Sequence, residues 1–168
     1  MSLDLYLVRH AIAEDRDPER WPDDRLRPLT EKGIARFTAA ARGLRRLAPR
    51  VEIVLSSPLT RARQTAEILA ARAGWPAAQL LAALAPETAP AETVAALQSF
   101  LSARTLALVG HEPHLSTLAG YLLTGTTSWP ILELRKGGAA LLHFADHLVP
   151  GGATLRWLLP PRVLRRLE

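Results

Sequence analysis

Apolar positions dominate the run Leu3 to Val8, and the run stops at a cation and an imidazole, Arg9 and His10. Four more runs of strand length follow: Val51 to Ser56, Thr105 to Val109, Ala139 to Phe144 and Thr154 to Leu159. Between them, apolar residues recur three and four apart, the spacing of one helical face. After Thr30, a suitable N-cap, the positions Ile34, Phe37, Ala41, Leu44 and Ala48 predict a long helix that Pro49 stops. Ala62, Ala66, Leu69 and Ala73 mark a second helix from about Pro58, and two more are expected from Ala91 to Ser102 and from Pro113 to Leu123.

This alternation predicts an α/β fold, a single three-layer α/β/α domain over residues 1–168 with a mixed, mostly parallel sheet. The first three strands each lead into a helix, which calls for parallel pairing; the last two flank Gly151-Gly152 and read as an antiparallel hairpin. The polar stretch Glu14 to Leu29, punctuated by Pro18, Pro22 and Pro28, reads as a long loop over one sheet edge.

Composition narrows the class. The 168 residues are enough for a real core, and 48% hydrophobic with 22% charged residues is ordinary for a soluble globular chain. No apolar stretch approaches the ~20 residues of a membrane span, and no basic segment precedes the first apolar run, so a cytoplasmic location is expected. The absence of cysteine removes thiolate metal sites and thiol nucleophiles. The net charge of +5 raises nucleic-acid binding, but the arginines are dispersed without interleaved aromatics, so the charge reads as a solvated face.

The candidate chemistry lies at three strand ends: Arg9 and His10, then Ser57-Pro58-Leu59-Thr60-Arg61, then Gly110-His111. Parallel strands would bring all three to one mouth, where open α/β sheets bind ligands. Ser57 as N-cap and Pro58 as first helical residue would put Arg61 and Arg63 in an opening turn, where cations are disfavoured by up to ~1 kcal/mol unless an anion is present. Arg61 is nearer the strand end and is the one read as functional; Arg63 is read as solvated. His114, His143 and His147 read as packing or surface residues. The spacing of His111 and His114 would suit a metal, but Pro113 disturbs the register and two arginines at the mouth would repel a dication.

Leu7-Val8-Arg9-His10-Ala11, Arg27-Pro28-Leu29-Thr30-Glu31-Lys32-Gly33, Ser56-Ser57-Pro58 to Thr65, and Val109-Gly110-His111-Glu112-Pro113-His114-Leu115 together resemble the histidine phosphatase (phosphoglycerate mutase-like) superfamily. More narrowly they are similar to its small SixA-type phosphohistidine phosphatases, and the likeness extends through Lys136-Gly137-Gly138 to Pro161. Ala11 departs from the usual Arg-His-Gly but leaves the histidine in place.

The resemblance implies a phosphoglycerate mutase-like fold and an enzyme in which His10 attacks phosphorus to form a phosphohistidine intermediate that water hydrolyses. Arg9 and Arg61 would grip the phosphoryl oxygens, with His111, protonated when phosphate is bound, as a third positive partner. No metal or cofactor is required. For the leaving-group proton, Glu87 is the nearest positional candidate.

The implied substrate is a phosphohistidine-bearing protein, such as a phosphotransfer domain in signal transduction. The contact rim would be Glu14 to Leu29 and the loop from Thr124 to Pro130. Two alternatives stand beside it: a small phosphate ester cleaved by the same chemistry, and a phosphate or nucleic-acid binding module without catalysis.

Overall fold

The first apolar run forms β1 (Leu3–Arg9) in the computed structural model, which describes residues 2–128 and 131–168. Its side chains alternate: Leu3, Leu5 and Leu7 enter one core, and Tyr6 and Val8 enter another on the opposite face. A strand buried on both sides has little need of polar residues, which is why the run is nearly continuous.

The other strands are β2 (Ile53–Ser56), β3 (Gln79–Leu80), β4 (Thr105–Gly110), β5 (Ala139–Phe144) and β6 (Ala153–Leu159). They form one sheet in the order β3-β2-β4-β1-β5-β6, parallel from β3 to β1 and antiparallel at β5 and β6. The expected mixed sheet and terminal hairpin are both present. β3 was not anticipated: two exposed residues carry no periodicity, and only the backbone of β2 defines them as a strand.

Helices α1 (Glu31–Leu47), α2 (Thr60–Ala73) and α5 (Pro161–Leu164) lie against the Tyr6–Val8 side, with Phe37, Leu44, Ala62, Leu69 and Leu164 in that core. α3 (Pro90–Leu97) and α4 (His114–Thr124) cover the other side, with Leu97, Leu115, Leu118 and Leu122. Thr30 caps α1 as expected, its hydroxyl accepting the Gly33 N–H at 2.9 Å. Ile34 is 40% exposed, because the inward stripe is centred on Phe37, Ala40, Ala41 and Leu44 and Ile34 lies at its margin. α3 ends at Leu97 rather than Ser102 and tightens into a 3-10 turn over Gln98–Phe100.

Gly43, inside α1, shows where packing overrides helix propensity. A Cβ there would lie 1.9 Å from the backbone oxygen of Leu164. Propensity alone favours alanine by ~1 kcal/mol, but a backbone collision does not relax cheaply, and overpacking typically costs ~1–3 kcal/mol. Gly43→Ala is expected to lower the unfolding free energy by about 2 kcal/mol net, read by urea denaturation; an unchanged or raised midpoint would mean that α5 moves aside freely.

Strand register gathers the polar ends. Val8 pairs with Val109 and Val109 with Ser56, so Arg9-His10, Ser57 and Gly110-His111 emerge together. The His10 N–H donates to the Gly110 oxygen and the Ser57 N–H to the Val109 oxygen, both at 2.9 Å. Because Ser57 is still paired to β4, α2 starts later than expected. Leu59 is its N-cap and Thr60 its first residue, which corrects the reading of Ser57 as cap and Pro58 as first position.

Residues 14–29 do not run over a lateral sheet edge. They fold back on their own start, with the Glu14 N–H donating to the Pro28 oxygen and Ala13 bridged to Leu29, and they lie over the strand ends against α2. The loop after α4 is also placed differently from the expected rim. Gly125 lies against Gly151 in the turn between β5 and β6, and the Gly151 N–H donates to the Tyr121 oxygen, at the opposite end of the sheet from His10. Trp129 and Pro130 of that expected rim lie outside the described residues. Among the described residues no helix is long and apolar enough to cross a membrane.

Candidate active site

His10 is held at the end of β1 with 7% of its surface exposed. Its Nδ1 lies 2.7 Å from the carbonyl oxygen of Ala11. A carbonyl can only accept, so Nδ1 carries the proton and Nε2 keeps its lone pair. The Ala11 N–H donates to Thr65 Oγ1 at 3.0 Å, and that hydroxyl donates to the Arg61 oxygen at 2.7 Å. One threonine on α2 thereby ties the residue after His10 to the turn that carries Arg61.

The His10 and His111 rings are 5.1 Å apart between centroids and tilted by 55°. His111 Nε2 is 2.8 Å from Ser57 Oγ, so the serine expected as a helix cap orients the second imidazole. Arg9 Nη1 donates to the Leu134 oxygen at 2.7 Å. The Arg61 side chain is 6% exposed; Nη1 donates to the Asp24 backbone oxygen at 2.9 Å and Nη2 lies 3.2 Å from Asp24 Oδ2. All four predicted site residues line one cavity of about 550 Å³, and Glu87 lines it as well.

Asp24 joins the outer loop to this cavity. Besides Arg61, it accepts from Arg27 Nε at 2.8 Å and lies 3.6 Å from Arg16 Nε. Its hydrogen bond with Arg27, then the charges of Arg61, Arg27 and Arg16, hold its carboxyl below the usual range despite partial desolvation, so it is an anion that organises three guanidinium groups. Sequence reasoning missed Asp24, since nothing in a loop with several acids singles one out. It also missed the roles of Thr65 and Ser57, because a hydroxyl facing a backbone across the fold has no local signature.

Four buried side-chain atoms of residues lining this cavity lack a hydrogen-bond partner among the described residues: Arg9 Nε, Arg61 Nε, His111 Nδ1 and Glu112 Oε1. Buried donors without partners are uncommon, and the two guanidinium Nε groups among these are obligate donors that suit an anion's oxygens. Burial first, then Arg61, Arg9 and Lys136, push the His10 pKa down to about 3, against the opposing hydrogen bond to Ala11. Burial first, then the charges of His10 and Arg61, push His111 down to about 2. Both imidazoles are neutral near pH 7 without an anion, so a positive His111 requires a proton that arrives with the ligand.

The other histidines lie elsewhere. His114 Nε2 is 2.9 Å from Thr93 Oγ1 in the α3–α4 layer, His143 meets Asp4 across β1 and β5, and His147 is exposed beside Asp146. Arg63 is exposed on α2.

The pKa shifts have a consequence for stability. The unfolded chain takes up protons near pH 6.5 that buried His10 and His111 refuse, so their contribution is full above pH 6.5 and is lost as pH falls toward about 3. By pH 5 each imidazole is expected to have removed about 2 kcal/mol. Urea midpoints at pH 7 and pH 5 test this: wild type drops more steeply than His10→Ala, and parallel drops would refute the depressed pKa of His10.

Residues 5–85 match the model of the histidine phosphatase superfamily (branch 1). An uncharacterized protein of Picosynechococcus sp. is 38% identical over 167 residues, spanning 94% of this chain and 100% of the relative. The solved structure of the protein histidine phosphatase SixA complexed with tungstate superposes with a TM-score of 0.83 at 25% identity, covering 96% of this chain and 99% of that one. The α-ribazole phosphatase of Shigella flexneri shares the fold at a TM-score of 0.70 and 18% identity, with 95% and 97% covered. The chain belongs to the histidine phosphatase superfamily, with the compact architecture of its SixA-type members.

Proposed function

We propose that the protein is a phosphatase that removes the phosphoryl group from phosphohistidine on a protein, by way of a phosphohistidine intermediate on His10. The observation that carries the reading is the fixed tautomer of His10: the Ala11 carbonyl holds the proton on Nδ1 and leaves the Nε2 lone pair in a cavity shared with Arg9, Arg61 and His111. Nε2 attacks phosphorus, the P–N bond to the substrate imidazole breaks, and its electron pair leaves with that imidazole, which takes a proton. Water then attacks the phosphorylated His10, releasing phosphate and restoring the lone pair. Arg9 and Arg61 supply forked, charge-assisted donors to the oxygens on which charge collects.

The likeness to SixA supports the protein substrate. A second reading, a small phosphate ester cleaved by the same steps, is favoured by one observation. Glu87 lines the cavity, and among the described residues its carboxyl group makes no hydrogen bond or ion pair, which leaves it free to turn toward a leaving group. The likeness to a phosphatase of a small phosphate accords with it.

The test is brief exposure to a labelled phosphohistidine-bearing protein, acid-free trapping and mass-spectrometric mapping, then comparison of its turnover with that of metabolite phosphates. Label on His10 and a preference for the protein are expected. Label elsewhere ends the mechanism, and a clear preference for one metabolite shifts the reading to the ester.

A further inference from the structure

Among the cations of the cavity, Lys136 alone is uncommitted. Arg16, Arg27 and Arg61 converge on Asp24, Arg25 pairs with Asp23, and Arg9 donates to Leu134. Lys136 lines the same cavity, is exposed, and among the described residues makes no hydrogen bond or ion pair.

The backbone on which it sits is fixed to the segment that carries His10. The Gly137 N–H donates to the oxygens of Arg9 and His10 at 3.2 and 3.1 Å, and the Arg9 N–H donates to the Gly138 oxygen at 3.1 Å. Gly137 has φ +75°, and a Cβ there would come within 3.2 Å of Phe37. The turn is therefore built for glycine after Lys136, and it holds the lysine Cα beside β1 while the long stem lets the ammonium swing over the cavity. The charge already reaches the nucleophile, since Lys136 is among the cations that disfavour protonation of His10.

We propose that Lys136 is a further catalytic residue, its ammonium binding a non-bridging oxygen of the phosphoryl group as His10 attacks. This rests on the phosphatase reading given above. The lysine makes no covalent bond and moves no proton; bond making stays with His10 Nε2, and bond breaking with the leaving group. It adds a mobile point charge to two guanidinium groups that are already anchored by protein oxygens, and so can follow the phosphoryl group as its charge shifts during transfer.

Lys136→Met, Lys136→Arg and His10→Ala are compared with wild type for hydrolysis of p-nitrophenyl phosphate and for inhibition by inorganic phosphate, at about 0.15 M and about 1 M salt. Because Lys136 is exposed and unpaired, its variants should fold. Lys136→Met is expected to lower kcat/KM by about 10- to 30-fold and to weaken phosphate inhibition comparably, with the loss retained at high salt and most of the activity restored in Lys136→Arg.

Values within twofold of wild type for Lys136→Met, while His10→Ala is inactive, overturn the role of Lys136 and leave the phosphatase reading standing. A loss that vanishes at high salt also overturns it, because contact survives the ~3 Å Debye length of 1 M salt and long-range steering does not. Activity retained by His10→Ala removes the reading on which the proposal rests, and the proposal with it.

Discussion

His10→Ala is expected to lower hydrolysis of p-nitrophenyl phosphate by about ten-thousandfold while leaving the fold intact. Alanine has no lone pair to form the proposed intermediate, so the remaining groups can only assist direct attack by water. Their electrostatic help survives, which is why the residual rate should stay above that of the uncatalysed reaction. The fold should tolerate the change because the ring stands at the end of β1, outside the two cores, and its one hydrogen bond runs to the adjacent Ala11. Circular dichroism and a urea midpoint at pH 7 establish folding, and single-turnover kinetics measure the loss. A folded variant within a hundredfold of wild type would show that some other group attacks phosphorus.

Arg61→Ala is expected to be the second most damaging change, lowering kcat/KM by several hundred-fold. Its guanidinium sits in the first turn of α2, where the helix dipole disfavours a cation, and its Nε is buried without a partner among the described residues. Both features are costs in the free protein that an anion reverses, so the benefit grows as charge accumulates on the phosphoryl oxygens. The loss should therefore fall more on kcat than on KM. Arg61→Lys should recover only part of it, because an ammonium cannot hold Asp24 and a phosphoryl oxygen with one planar fork. Asp24 keeps Arg27 and Arg16 in either variant, so the loop stays charge-balanced and a stability loss much above ~1 kcal/mol is not expected. A variant at half the wild-type rate would place Arg61 outside the reaction.

Much of this site is legible in the chain because strand ends are. A buried strand must be apolar, so the first polar residues after it stand out, and that is how Arg9, His10 and His111 are found. Arg61 is found for the right neighbourhood but through an incorrect helix start: the main-chain pairing of Ser57 with β4 delays α2, and no side-chain pattern reports it. Of the two expected rim segments, one lies at the cavity. Residues 14–29 reach the mouth, whereas Thr124 ends a helix that begins beside His111 and runs the length of the domain, which carries it to the far end. Predicting that reversal requires knowing the direction of α4 against the sheet.

By itself the sequence determined the layered α/β class, the parallel heart of the sheet and the terminal hairpin, and it singled out Arg9, His10, Arg61 and His111, which line one cavity. Each follows from rules that act over a few neighbouring positions: the period of burial, the stop at a polar residue, the glycine at a turn. Only the tertiary structure decided that the Ala11 carbonyl selects the His10 tautomer, that Thr65 and Ser57 orient the pieces, that Asp24 gathers three arginines, and that Lys136 makes no hydrogen bond or ion pair among the described residues. The ties of Thr65 to Ala11, Ser57 to His111 and Arg61 to Asp24 join residues far apart along the chain, and they are set by distances and burial that exist only once the layers have packed.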